Sequence, residues 1–280
     1  MENTETPEAV EAAQGPILAS NSASAPEPAP APAAKDAKAE LIEIGKTVVY
    51  ALLIALVIRV LLFQPFTIPS ASMEPNLYQG DYIIVSKFAY GYSRHSMPFS
   101  PPLFAGRLLD KVPRRGDIIV FKLPRDGHTD YIKRIIGLPG DTIQVRGGVV
   151  WLNGKPIPRK LIATVTESTP FGFSHQVQRY QETMPDGRTY MTNDYGPDGD
   201  VDNTPVYVVP PKHYFMMGDN RDNSQDSRYP ESIGVGYVPE ENLVGKADII
   251  LLSWNDKASL FKPWTWVLDA QPSRWFHILK

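Results

Sequence analysis

The chain has 280 residues, a formal net charge of −3 and no cysteine. Without cysteine there is no disulfide, thiolate metal site or cysteine nucleophile, and the mildly acidic balance speaks against a nucleic-acid partner, which calls for a basic face. The length suits one large domain or two smaller ones, and 27 Pro with 20 Gly favour turns and short strands over long helices.

Residues 1–39 hold 12 Ala, 6 Pro and no aromatic residue. Such a composition buries too little apolar surface to offset chain entropy, so a disordered tail is expected. Residues 40–64 follow as a predicted transmembrane signal-anchor helix. Its apolar centre, Thr47–Phe63, is 17 residues, roughly 25 Å of helix, which spans a hydrocarbon core with help from its flanks. The apolar residues run all the way round, and Arg59 near one end has a stem long enough to snorkel to the interface. Lys35, Lys38 and Lys46 precede the run, and no Lys or Arg follows until Lys87. The tail is therefore expected in the cytoplasm and residues 65–280 on the periplasmic or extracellular side of the inner (plasma) membrane, in a single pass. Just beyond lies Ser70-Ala71-Ser72, two small residues two apart, as at a signal-peptide cut. The long tail and the length of the apolar run favour an anchor that stays attached.

From residue 65 onward the predicted class is mainly β, an antiparallel catalytic domain with a smaller inserted lobe. Residues 81–88, 117–123, 130–137, 141–145, 148–154, 205–209, 213–217 and 246–254 are short runs rich in Ile, Val, Tyr and Phe, punctuated by Gly, Pro, Asn and Asp. No alternation with long amphipathic helices points to a doubly wound parallel sheet. Residues 155–204 are polar, with few strand signals and many turn signals, and read as the inserted lobe. Within them "DGDVDN" (198–203) begins like a calcium loop but has Asn203 and Val209 where Gly and Glu are required. The five His residues show no metal spacing either, and no metal is expected. Residues 261–280 carry three of the five Trp, which suits either core packing or rest on membrane lipid.

Two residues offer chemistry. Ser72 lies in a turn between Pro69 and Pro75, and Lys133 lies inside an apolar strand signal. Half-neutral lysine near pH 8 needs a fall of about 2.4 pKa units, roughly 3.3 kcal/mol, which burial can supply. A neutral lysine is a competent general base, whereas Arg134 beside it stays protonated. A strand lysine more often reaches solvent by its tip, and a serine between prolines is ordinary turn chemistry. The residues alone leave the pair open.

Read together, "IPSASMEPNL" (68–77), "GDYIIVSKFAYG" (80–91), "RRGDIIVFKLP" (114–124), "YIKRIIGLPGDTI" (131–143), "GDNRDNSQDSR" (218–228) and "VGKADIILLSW" (244–254) resemble the bacterial type I signal peptidases, the Ser/Lys dyad proteases. The resemblance covers most of residues 64–254. It implies a serine endopeptidase that removes signal peptides from exported preproteins after Ala-x-Ala-type sites, without metal or organic cofactor. By this resemblance Ser72 is the nucleophile and Lys133 the general base. Ser70 and the Ser72 N–H form the oxyanion hole, Ser224 orients the lysine, and Asp226 with Arg228 supports Ser224. Phe66, Ile68, Leu77 and Ile132 fall at substrate-pocket positions, although plain core packing explains them equally. The alternatives are a Ser/Lys peptidase dedicated to one exported substrate, such as a pilin or conjugation protein, and a catalytically silent β-domain that binds exported proteins.

Overall fold

The computed structural model describes residues 37–97, 100–168, 174–255 and 264–279. Of the expected disordered tail, residues 1–39, the first 36 lie outside them, and residues 37–39 belong to a helix. Helix α1 spans Ala37–Leu61, about 38 Å at about 1.5 Å per residue. It is the one described helix long and apolar enough to cross a membrane, and large apolar side chains from Leu41 to Leu61 are exposed along it.

Strands follow in quick succession: β1 (Phe63–Thr67), β2 (Asp81–Ser86), β3 (Tyr92–Ser93), β4 (Arg107–Leu108), β5 (Ile118–Lys122) and β6 (Asp130–Gly137). Next come β7 (Thr142–Arg146), β8 (Val149–Leu152), β9 (Lys155–Pro156), β10 (Arg159–Ser168), β11 (Ser174–Thr183) and β12 (Thr189–Asp194). The last are β13 (Tyr207–Val208), β14 (His213–Met217), β15 (Val238–Pro239), β16 (Leu243–Ser253) and β17 (His277–Ile278). One sheet of eight strands runs in the order β1-β2-β16-β5-β6-β14-β15, with β17 added on β16, and its pairings are antiparallel. The fold is thus mainly β and antiparallel, with smaller sheets beside the main one.

The apolar strand signals come from burial on both faces of this sheet. Along β5, Ile118 and Val120 enter one core cluster while Ile119 and Phe121 enter another, as the two-residue period of a strand requires. A strand buried on both faces reads as a continuous apolar run. β6 sits between β5 and β14, with Ile119 opposite Lys133 and Met217 opposite Arg134. Its charged pair therefore lies in the middle of the sheet.

Residues 155–204 are richer in strand than their sequence suggests. β10 and β11 form a hairpin of two ten-residue strands, and β12 adds a third. The strand signal hides because it is carried by Thr, Gln and β-branched residues in an exposed sheet, with Leu161 and Ile162 half exposed and, among the described apolar side chains of these two strands, only Val177 sealed. Such a ladder is stabilised by cross-strand pairs more than by an apolar face.

Candidate active site

Ser72 sits in a single turn of 3₁₀ helix, Ala71–Met73. The turn closes when Glu74 N–H donates to the Ala71 carbonyl at 3.1 Å, and the Asn76 and Leu77 amides donate to the Met73 carbonyl at 3.0 and 2.9 Å. Met73 and Leu77 are fully sealed in the core, so the turn is pinned from below. From above, Asn220 N–H donates to the Ser72 carbonyl at 3.1 Å, and its side-chain amide reaches the Ala71 carbonyl at 3.3 Å.

Lys133 is 3% exposed. Its Nζ donates to Ser72 Oγ at 2.6 Å and to the Ile132 carbonyl at 3.0 Å. Burial pushes its ammonium down to about 8, against the upward pull of the Asp226 and Asp219 carboxylates, with Arg228 pushing the same way as burial. No carboxylate touches Nζ directly among the hydrogen bonds of the described residues, which is why desolvation dominates. A neutral amine this close to a hydroxyl can take its proton.

The two residues open onto a cleft of about 550 Å³, whose lining includes Ser70, Ser72, Ile132, Lys133 and Ser224. Ser70 is exposed, with its Oγ 3.3 Å from Ser72 Oγ. The Ser224 hydroxyl is buried and makes no hydrogen bond among the described residues. Gly218 is what lets it in: a Cβ there would lie 2.2 Å from Ser224 Oγ and 2.6 Å from the Ser72 carbonyl oxygen. Of the four apolar residues, Ile132 lines the cleft. Ile68 and Leu77 are sealed in the core cluster that contains Ile132, and Phe66 packs against that cluster.

A frame of buried ion pairs surrounds the cleft. Asp226 binds Arg228 at 2.9 Å and accepts from Gly218 N–H at 2.9 Å. Burial alone would push the Asp226 carboxyl up, but the Arg228 guanidinium and these donors hold it below the ordinary range. Arg228 also donates to the Arg221 carbonyl and so straps the loop to itself. Three participants went unread in the sequence. Arg134 grips Asp219 with two bonds of 2.7 and 2.8 Å. Arg221 grips Glu182 on β11 with bonds of 2.7 and 2.6 Å. Asn76, four residues past Ser72, donates from Nδ2 to Asp219 Oδ2 and to the Met191 carbonyl, both at 2.7 Å. The available signal was the run of alternating charge in residues 218–228, whose partners lie too far along the chain to assign locally. Removing one member of such a buried pair costs about 3–5 kcal/mol, because the other charge is left without a partner.

The family described as signal peptidase, peptidase S26, matches residues 41–254. A signal peptidase I of Rickettsia akari (strain Hartford) is 40% identical over 234 residues, covering 77% of this chain and 85% of the relative. That of Rickettsia typhi (strain ATCC VR-144 / Wilmington) is also 40% identical over 234 residues, covering 77% and 86%. Among solved structures, a signal peptidase I from Enterococcus faecalis V583 matches with 28% identity and a TM-score of 0.30, over 49% of this chain and 97% of that one.

Proposed function

The chain belongs to the signal peptidase family S26, and we propose that it is a membrane-anchored Ser/Lys endopeptidase releasing exported preproteins from their signal peptides after Ala-x-Ala-type sites. Ser72 Oγ attacks the scissile carbonyl and its proton passes to neutral Lys133 Nζ. The resulting oxyanion is held by the Ser70 hydroxyl and the Ser72 N–H, donors of the kind that often supply the largest catalytic term. Collapse expels the amine of the mature protein, which takes the proton from Lys133, and leaves the signal peptide esterified to Ser72. Water, deprotonated by Lys133, then hydrolyses the ester. Ser224 stands beside the lysine, with Asp226 and Arg228 holding its loop. Ile132 faces the substrate, while Phe66, Ile68 and Leu77 shape that wall from the core side.

The observation that carries this reading is the 2.6 Å contact from Lys133 Nζ to Ser72 Oγ, made by a buried lysine whose pKa lies at about 8. Helix α1 is the membrane anchor. Lys38 and Lys46 near its start, with no further Lys or Arg between Arg59 and Lys87, support an N-terminus in the cytoplasm and a β-domain outside. Detergent-solubilised protein is expected to cleave a preprotein bearing an Ala-x-Ala site, while Ser72→Ala and Lys133→Ala do not. Cleavage by both variants at the parent rate would end this reading.

A further inference from the structure

The last described segment of the chain reaches back to the Ser72 turn, far from anything the chemistry requires of it. Residues 264–279 are stitched along β16. Asn255 N–H donates to the Asp269 carbonyl at 3.0 Å, Gln271 N–H to the Ser253 carbonyl at 2.9 Å and Leu279 N–H to the Asp248 carbonyl at 2.8 Å. Ile278 and His277 pair with Ile249 and Ile250. Leu279 enters the same core cluster as Met73 and Leu77, the two residues that pin the Ser72 turn.

Arg274 projects from this segment. Its Nε and Nη2 donate to the two oxygens of Asp81 at 3.1 and 2.5 Å, and Nη2 also donates to the Asn76 carbonyl at 3.0 Å. The guanidinium lies 4.5 Å from the centre of the Tyr78 ring. Asp81 has no exposed surface, and its Oδ2 also accepts from Tyr78 N–H at 2.8 Å. Arg274 thus joins both ends of the stretch from Asn76 to Asp81. Asn76 carries the restraint onward: its backbone closes on Met73, and its side chain holds Asp219, which Arg134 grips from the strand position next to Lys133. One arginine, 193 residues from Asp81 in sequence, completes a brace with Ser72 at one end and Lys133 at the other.

We propose that Arg274 is a positioning residue for Ser72: through Asp81 and Asn76 it fixes the turn that sets Ser72 Oγ against Lys133. This rests on the Ser/Lys reading above. Arg274 is not among the residues that line the cleft, so it has no direct contact with a substrate seated there. Removing it lets the Ser72 hydroxyl drift relative to a lysine that stays buried, and misplacement by about 1 Å costs on the order of 100-fold.

The experiment uses the full chain in detergent, with Arg274→Ala, Arg274→Lys and Ser72→Ala assayed on one preprotein across pH 6 to 10. Arg274→Ala is expected to lower the plateau of kcat about 30- to 100-fold, with KM within about threefold and the midpoint of the pH profile unmoved near 8. Arg274→Lys, which keeps charge but loses the fork, recovers part of the plateau, and added guanidinium recovers part of it in Arg274→Ala. A purely structural role would wet Lys133 and move the midpoint upward with a fall in Tm, without guanidinium rescue, and that pattern overturns the proposal. Parent-like kcat in Arg274→Ala beside an inert Ser72→Ala overturns it alone. An active Ser72→Ala overturns the Ser/Lys reading on which it stands.

Discussion

Lys87, in the turn that ends β2, and Lys133, in the middle of β6, meet the same physics with different neighbours. Lys87 is 1% exposed and Lys133 3%. Burial lowers both to about 8, with Arg59 adding to the push on Lys87 and Asp130 resisting it. Each ammonium makes a 2.6 Å bond, Lys87 to the Ser96 carbonyl and Lys133 to the Ser72 hydroxyl. A carbonyl has no proton to surrender and a hydroxyl does. Desolvation therefore strengthens both ammoniums as acids and leaves both amines partly neutral near pH 8, and only the partner decides which can act as a base. A depressed lysine pKa marks a candidate site with some probability, and the region around Lys87 shows how a structural tie produces the same mark.

The comparison breaks most visibly in paired variants. Lys133→Met is expected to reduce kcat by about 10³-fold, within the range of a positioned general base. Lys87→Met, which deletes an equally buried lysine, is expected to hold kcat within about twofold and to lower Tm. Similar losses of kcat in both would mean that burial, and not the serine beside it, is what matters. A smaller effect sharpens the contrast. With Lys133 titrating near 8, the neutral fraction rises about 90-fold between pH 6 and pH 9. The rate of cleavage is expected to follow it in the parent and in Lys87→Met alike. A flat profile over that range would exclude Lys133 as the base.

How much of this was legible depends on how local each feature is. The strand signals at 81–88, 130–137 and 213–217 correspond to β2, β6 and β14; β6 and β14 are buried on both faces and β2 on the face of Ile83 and Val85, and buried strands announce themselves as apolar runs. The hairpin of β10 and β11 does not, since its few apolar residues are mostly half exposed among polar ones. In the charged run 218–228 the same rule holds. Asp226 and Arg228 are two residues apart and bond each other, a local pair within reach of sequence. Asp219 instead pairs with Arg134 across 85 residues and Arg221 with Glu182 across 39, partnerships that no local pattern specifies. Ser72 and Lys133, 61 residues apart, are likewise linked by no local pattern, and only the family motifs taken together pair them. The Trp-rich end suited core or lipid equally. In the structure Leu279 joins the core while Trp264, Val267 and Phe276 stay exposed, so the segment is part core and part surface.

The smallest expected effect concerns stability and isolates the cost of keeping Lys133 buried. In the fold its pKa is about 8, against an ordinary value of 10.5. Below pH 8 both folded and unfolded chains carry the proton, so stability does not change with pH on this group's account, and the fold bears a buried charge. Between pH 8 and 10.5 the unfolded chain binds the proton and the fold does not, so stability rises with pH. From pH 7 to pH 9.5 this group alone adds about 2 kcal/mol. Urea unfolding of the full chain in detergent is expected to show that increment in the parent and its loss in Lys133→Met, which gains most over the parent at pH 7. Stability curves that run parallel in the two proteins would mean that Lys133 is not desolvated enough to be neutral, and the distinction between the two buried lysines would then have to rest on geometry alone.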